Sequence, residues 1–265
     1  RLGTSGSAGG FTYDISANVS WNRSKWTQYD QAEETDPDRY RLYYLKGQWT
    51  DRQLGYKSDG LFESQEAIDN WGKTVDDLNN DNSTFAAGDI RLVDINDDGV
   101  INWKDKVEIG KGSTPHWMTG WNFNLGYKGF DLSLLFQGAW GYTLAVSYDS
   151  NTATYCDLYY DQVHNADANA IVARPNGAAT NYWASDFMYR DVAYLRLKNA
   201  SFGYSIPSKI VRKIGLEKCR IYVAGMNLFT LSTVSKYGVD PEAGATVGYS
   251  YPQQYTISAG LNIIL

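Results

Sequence analysis

The chain reads as an all-β protein, a transmembrane antiparallel β-barrel with long loops at one end. Three observations carry this. Several segments alternate apolar and polar residues for up to eleven positions, the length that crosses a bilayer and about twice that of an ordinary globular strand. Aromatic residues make up 15% of the 265 positions, with 21 Tyr and 9 Trp beside 25 Gly, a mix that suits strands and their turns. The connections between segments fall into a short class and a long class, as in outer-membrane barrels.

The first strand is Phe11 to Trp21, with Phe11, Ile15 and Trp21 on one face and Asp14 and Asn18 on the other. Tyr40 to Tyr56 is the least regular candidate and serves as the second. Trp117 to Tyr127 puts five aromatic or aliphatic side chains on one face, and Lys128-Gly129 turns it directly into Phe130 to Gly138. Tyr194 to Ile206 ends at Pro207; Arg220 to Phe229 and Tyr255 to Leu265 complete seven strands. Residues Arg1 to Gly10 lack a signal-peptide core and read as a loop entered partway. Asp59 to Pro115, Ala139 to Asp191 and Thr230 to Gln254 are the long connections. If the last strand ends in the periplasm, counting back places all three outside the cell. The competing architecture is a soluble, calcium-stapled β-sandwich that binds carbohydrate.

Composition excludes other classes. A net charge of −6 and a pI near 5.0 argue against a nucleic-acid partner. Mean hydropathy is −0.44, and no run of about 18 apolar residues offers a membrane helix, which leaves strand-crossing open. Cys156 and Cys219 lie in unlike segments and read as two unpaired small hydrophobes. Asp157 and Asp161 lack a glycosidase context, His116 and His164 lack partners at metal or triad spacing, and Gly110-Lys111-Gly112 does not link a strand to a helix. The chain is not expected to be an enzyme.

The stretch Asp94-Ile95-Asn96-Asp97-Asp98-Gly99-Val100-Ile101-Asn102-Trp103-Lys104-Asp105 has the spacing of an EF-hand calcium loop. Asp94, Asn96 and Asp98 would supply side-chain oxygens, Val100 its carbonyl and Asp105 a final carboxylate, while Gly99 permits the sharp turn. Ile101 would anchor the loop on an apolar surface. Flanking helices are not expected, so the Ca²⁺ would be a structural staple. The plain alternative is Asx-turn chemistry, which uses the same residues.

Taken in order, a set of short runs resembles the C-terminal barrel portion of the SusC/RagA family of TonB-dependent outer-membrane transporters. They are Gly55 to Phe62, Gly88 to Arg91 leading into the calcium-like loop, Tyr127 to Ser133, Phe136 to Gly138, Leu195 to Asn199, Phe202 to Tyr204 and Val223 to Thr230. The resemblance implies a barrel of about 22 strands closed by an N-terminal plug. This chain, 1–265, would then be the C-terminal part of that one domain, with plug and earlier strands elsewhere. It further implies a Gram-negative outer-membrane setting, contact with lipid, a SusD-like surface lipoprotein as lid, TonB acting through the absent N-terminal part, and import of oligosaccharides or peptides. Leu265 departs from the aromatic residue that usually ends such barrels. The Tyr-rich connection then gains interest: Tyr155, Tyr159, Tyr160, Tyr182 and Trp183 are candidates for ligand or lid contact. A membrane girdle or simple loop packing would use the same residues.

Overall fold

The computed structural model describes residues 1–76, 84–148, 170–174, 177–242, 246–247 and 253–265. Seven antiparallel strands form one sheet in sequence order: β1 (Leu2–Ala8), β2 (Phe11–Trp21), β3 (Trp117–Tyr127), β4 (Phe130–Ala145), β5 (Tyr189–Ser205), β6 (Lys218–Ser232) and β7 (Thr256–Ile264). A sandwich needs a second sheet packed face to face. The remaining ladders among the described residues are two-stranded.

The strand count of seven holds, but one member differs from expectation. Residues 1–10 form β1 and the Gly9-Gly10 turn, whereas Tyr40 to Tyr56 is no strand of this sheet and contributes only Gln53–Gly55, paired antiparallel with Val107–Gly110 in a two-stranded ladder. β1 carries Gly3, Thr4, Ser5, Gly6, Ser7 and Ala8, so it has almost no apolar side chains to alternate. Its pairing with β2 is a backbone affair, and Gly6 leaves the space that the Tyr13 ring fills opposite it. In the rejected segment, Asp36 caps a helix over Pro37–Tyr43 (α1), accepting from the Asp38 and Arg39 amides with Pro37 in its first turn. Tyr40 and Tyr44, one helical turn apart, stack with centroids 4.5 Å apart.

Both tight hairpins turn on paired positive φ angles, +58° and +84° at Gly9 and Gly10, +47° and +89° at Lys128 and Gly129. Such turns match the right-handed twist of the flanking strands. Pairing in register puts Phe11, Tyr13, Ile15, Val19 and Trp21 of β2 on the same face as Trp117, Trp121, Phe123 and Tyr127 of β3. Phe130, Leu132, Leu134, Phe136 and Trp140 of β4 continue that face. Trp21, Trp117 and Trp140 cluster at one end of the band, the latter pair parallel at 5.8 Å. Phe11, Phe130 and Tyr204 mark the other end. Ten residue steps of about 3.3 Å separate Phe11 from Trp21; at a tilt of roughly 40° they climb about 25 Å, the height of an outer-membrane barrel's apolar band. This face points outward. The opposite, inward face carries Asp14, Asn18, Asn122, Asn124, Ser133 and Ser201.

Gly9-Gly10, Lys128-Gly129 and the connection 206–217 close the turn end, and the three long connections all leave the other end. There β4, β5 and β6 run on past the expected boundaries, to Ala145, back to Tyr189 and to Ser232. The chain from Asn22 to His116 builds a lobe with its own core, formed by Tyr56, Leu61, Phe62, Ile68, Val75, Phe85, Ile90, Leu92 and Ile101 with Ala178. Burying each large member is worth about 1.5–3 kcal/mol. No helix among the described residues is long and apolar enough to cross a membrane.

Candidate functional site

The loop end holds three arrangements that place the sequence candidates. The first is the calcium-like turn. Gly99 sits at φ +87° and Asp97 at +59°, the left-handed conformations that the sharp reversal needs. Asp94 accepts from the amides of Asp97 (2.7 Å) and Gly99 (2.8 Å), and Asp98 from that of Val100 (2.8 Å). Asn96 accepts from the Asp98 amide and donates to the Asp98 carboxylate. Asp105, fully buried, accepts from Ile95 and Asn102 with one oxygen each. Ile101 is buried in the lobe core, and Val100–Ile101 pairs in parallel with Thr74–Val75.

Lys73 stands beside this turn, its ammonium 2.9 Å from Asp94 and 3.0 Å from Asp97. Burial alone would raise the Asp94 pKa; Lys73 and the two amides outweigh it and hold the carboxyl below its usual value. The donor residues therefore follow one another in the right order on the right backbone. Their oxygens are engaged by the loop's own amides and by Lys73. Among the described residues no three His, Cys, Asp or Glu side chains converge as a metal cage.

The second arrangement ties two connections into one lobe. Asp89, with no exposed surface, accepts from Arg174 (2.9 Å and 3.1 Å), from Asn181 (2.7 Å) and from the Ala86 amide. Ser58 donates to Asp186 at 2.6 Å, and Trp183 packs on Tyr56 with centroids 4.9 Å apart. Trp183 is thus part of the lobe's packing, whereas Tyr182 is exposed. Tyr155, Tyr159 and Tyr160 lie outside the described residues, as do Cys156, Asp157, Asp161 and His164. Cys219 is a buried free thiol. His116, without a partner at metal or triad spacing in the sequence, is buried and bonded to Asp51, which also receives Arg23 at 3.1 Å. That triad joins the lobe to the ends of β2 and β3.

Sequence reasoning missed the third arrangement, on the inward face. β5 carries one extra residue, Lys198, relative to β4, while β6 in turn carries one more than β5 between Met226 and Phe229. This bulge shifts the alternation, so Leu195 and Leu197 face out while Tyr194 and Arg196 face in. Arg196, 1% exposed, donates to Thr230 (2.7 Å), Asp240 and Glu242. Lys198 reaches Glu242 at 2.8 Å, as does the Tyr194 hydroxyl. The signal was present as a change of phase: apolar residues at 195 and 197, then at 200, 202 and 204.

An open sheet with an outward apolar band, a polar inward face and one-ended long loops has the architecture of part of an outer-membrane β-barrel. The chain is similar along 96% of its length to the TonB-dependent receptor P3 of Formosa agariphila (29% identity) and to the TonB-dependent receptor SusC of Bacteroides thetaiotaomicron (25%). It spans about a quarter of those relatives, 27% and 24% of their lengths. The solved RagAB peptide transporter superposes on 98% of the chain with a TM-score of 0.65 at 18% identity, over 28% of its own length. The RagAB peptide importer in its open-open state gives 0.64. No protein-family model matches. The relatives are receptors and transporters, not enzymes.

Proposed function

We propose that this chain is the C-terminal part of the barrel of a TonB-dependent transporter in a Gram-negative outer membrane. The protein imports oligosaccharides or peptides with a SusD-like surface lipoprotein as lid. The observation that carries the reading is the outward apolar band, about 25 Å high between two aromatic rims, on a sheet whose long connections all leave one end. The likeness to SusC and to the RagAB transporter supports it. The loop end is then extracellular, and its lobe is the surface offered to the lipoprotein. The plug and the TonB contact belong to the remaining three quarters of the protein. Deleting the gene for the full-length protein should abolish growth on one class of oligosaccharide or peptide, and the protein should co-purify with a surface lipoprotein. Full solubility without detergent would sink the membrane assignment.

The calcium-like turn is part of the proposal. Its residues would hold Ca²⁺ through Asp94, Asn96, Asp98, the Val100 carbonyl and Asp105, with the ion displacing Lys73 from Asp94. The ion would supply a cross-link within the lobe and no chemistry. Metal analysis after calcium saturation should find one ion per chain, lost in Asp94→Ala, and Lys73→Met should tighten binding. Absence of the metal from both the unaltered protein and Lys73→Met refutes the site.

A further inference from the structure

We propose that Val234–Glu242 is a strap lining the inward wall of the barrel at its loop end, and that Arg196 and Lys198 are the fastening that keeps it there. The inference rests on the inward and outward faces of the sheet, not on what is transported. The strap's apolar side chains are buried: Val234, Tyr237 and Val239 pack with Ala139, Tyr142, Leu144, Val192 and Tyr194, which line β4 and β5. Its end is held by polar groups from the same wall. Tyr142 donates to the Pro241 carbonyl at 2.7 Å, and Gln137 and Tyr194 both reach one oxygen of Glu242. The other oxygen takes Arg196 and Lys198.

The bulge explains why this wall is cationic. In an unbroken β5 the phase set by Ala200 and Phe202 would turn Arg196 outward, into the apolar band. The extra residue returns Arg196 to the inside and leaves Lys198 beside it, so two cations share one height of the wall. Asp240 and Glu242 neutralise them. Asp240 also accepts from the Glu242 amide, which stiffens the turn between the two acids. A guanidinium this deeply buried requires its acids in place, so strap and wall hold together as one unit. A solute moving along this arc therefore meets the strap rather than the strands.

Hydrogen–deuterium exchange on the full-length protein, purified in detergent, tests this. Glu242→Gln and, separately, Lys198→Met should each speed amide exchange in 234–242 by about ten-fold or more. Exchange in 89–105, within the lobe, should stay unchanged. The double variant should add nothing to Glu242→Gln for the same segment. Both changes leave the strand backbones intact, so they remain informative if Arg196→Met fails to assemble. Unchanged exchange in the strap overturns the proposal. So does an equal rise through both segments, which would make the cluster a general stabiliser and not a fastening.

Discussion

Glu242 illustrates how an ionised side chain is kept charged at the loop end. Burial by itself would raise the Glu242 pKa, but Lys198, Tyr194 and Arg196 outweigh it and hold the carboxylate below its ordinary 4.5. A carboxyl with a depressed folded-state pKa contributes stability that is present above its unfolded value and lost as pH falls through the folded one. Strap protection should therefore be flat from pH 8 to about 5 and decline only in stronger acid. A decline centred near neutrality would contradict the assigned charges. Asp94 behaves with the same sign, since Lys73 and two amides hold it below 3.8, so the turn should also loosen only in acid. Arg196→Met would leave Asp240 without its guanidinium and Glu242 with Lys198 as its remaining cation, and should cost about 3 kcal/mol in denaturant unfolding. Asp89 predicts a larger geometric effect. Asp89→Ala removes the shared acceptor of Arg174, Asn181 and Ala86, so limited proteolysis should open residues 84–92 and 177–182 together, not one alone.

At the scale of elements, legibility followed side-chain content. β2, β3 and β4 were plain in the sequence because large outward residues alternate with Asn, Ser and Gly. β1 was not, because its strand is carried by main-chain pairing beneath Tyr13. The helix Pro37–Tyr43 had a readable start in Asp36-Pro37, yet its tyrosines resembled strand residues when counted without period. The calcium-like loop was legible as a turn, with Ile101 in the core as expected, whereas the lysine facing it sits 21 residues upstream and no local pattern points to it. The Arg196–Glu242 pair is 46 residues apart and needs β6 to run past its expected end before the strap can return. A further element-level device is visible at the turn end. Arg220 on β6 reaches across β5 to Asp131 on β4, and it does so over Gly203, where a Cβ would lie 2.5 Å from the guanidinium. Gly203→Leu should expel Arg220 from Asp131 and lower unfolding stability by about 1 kcal/mol, with little further loss when Asp131→Asn is added. Additive losses would show that the glycine serves something else.

For the whole molecule the decisive quantity is the parity of its connections. β1 to β7 are antiparallel neighbours in sequence order, so successive connections must alternate between the two ends. Replacing the expected strand at 40–56 by β1 keeps the count at seven and leaves this alternation intact. It also gathers Asn22 to His116, with α1, the calcium-like turn and its core, into one connection. In the proposed membrane setting, the band of about 25 Å between the tryptophan cluster and the Phe11–Phe130–Tyr204 rim would set the two ends on opposite sides of a bilayer. Single cysteines placed in the full-length protein, with Cys156 and Cys219 replaced by Ala, should therefore divide cleanly. Lys46→Cys, Tyr182→Cys and Ser235→Cys lie on the three long connections, and a membrane-impermeant maleimide should label at least the exposed positions 46 and 182 on intact cells. Gly10→Cys, Lys128→Cys and Lys209→Cys lie on the short connections and should react only after the outer membrane is permeabilised. Labelling of a short-turn position on intact cells would break the parity and, with it, the assignment of the lobe and strap to the outer surface.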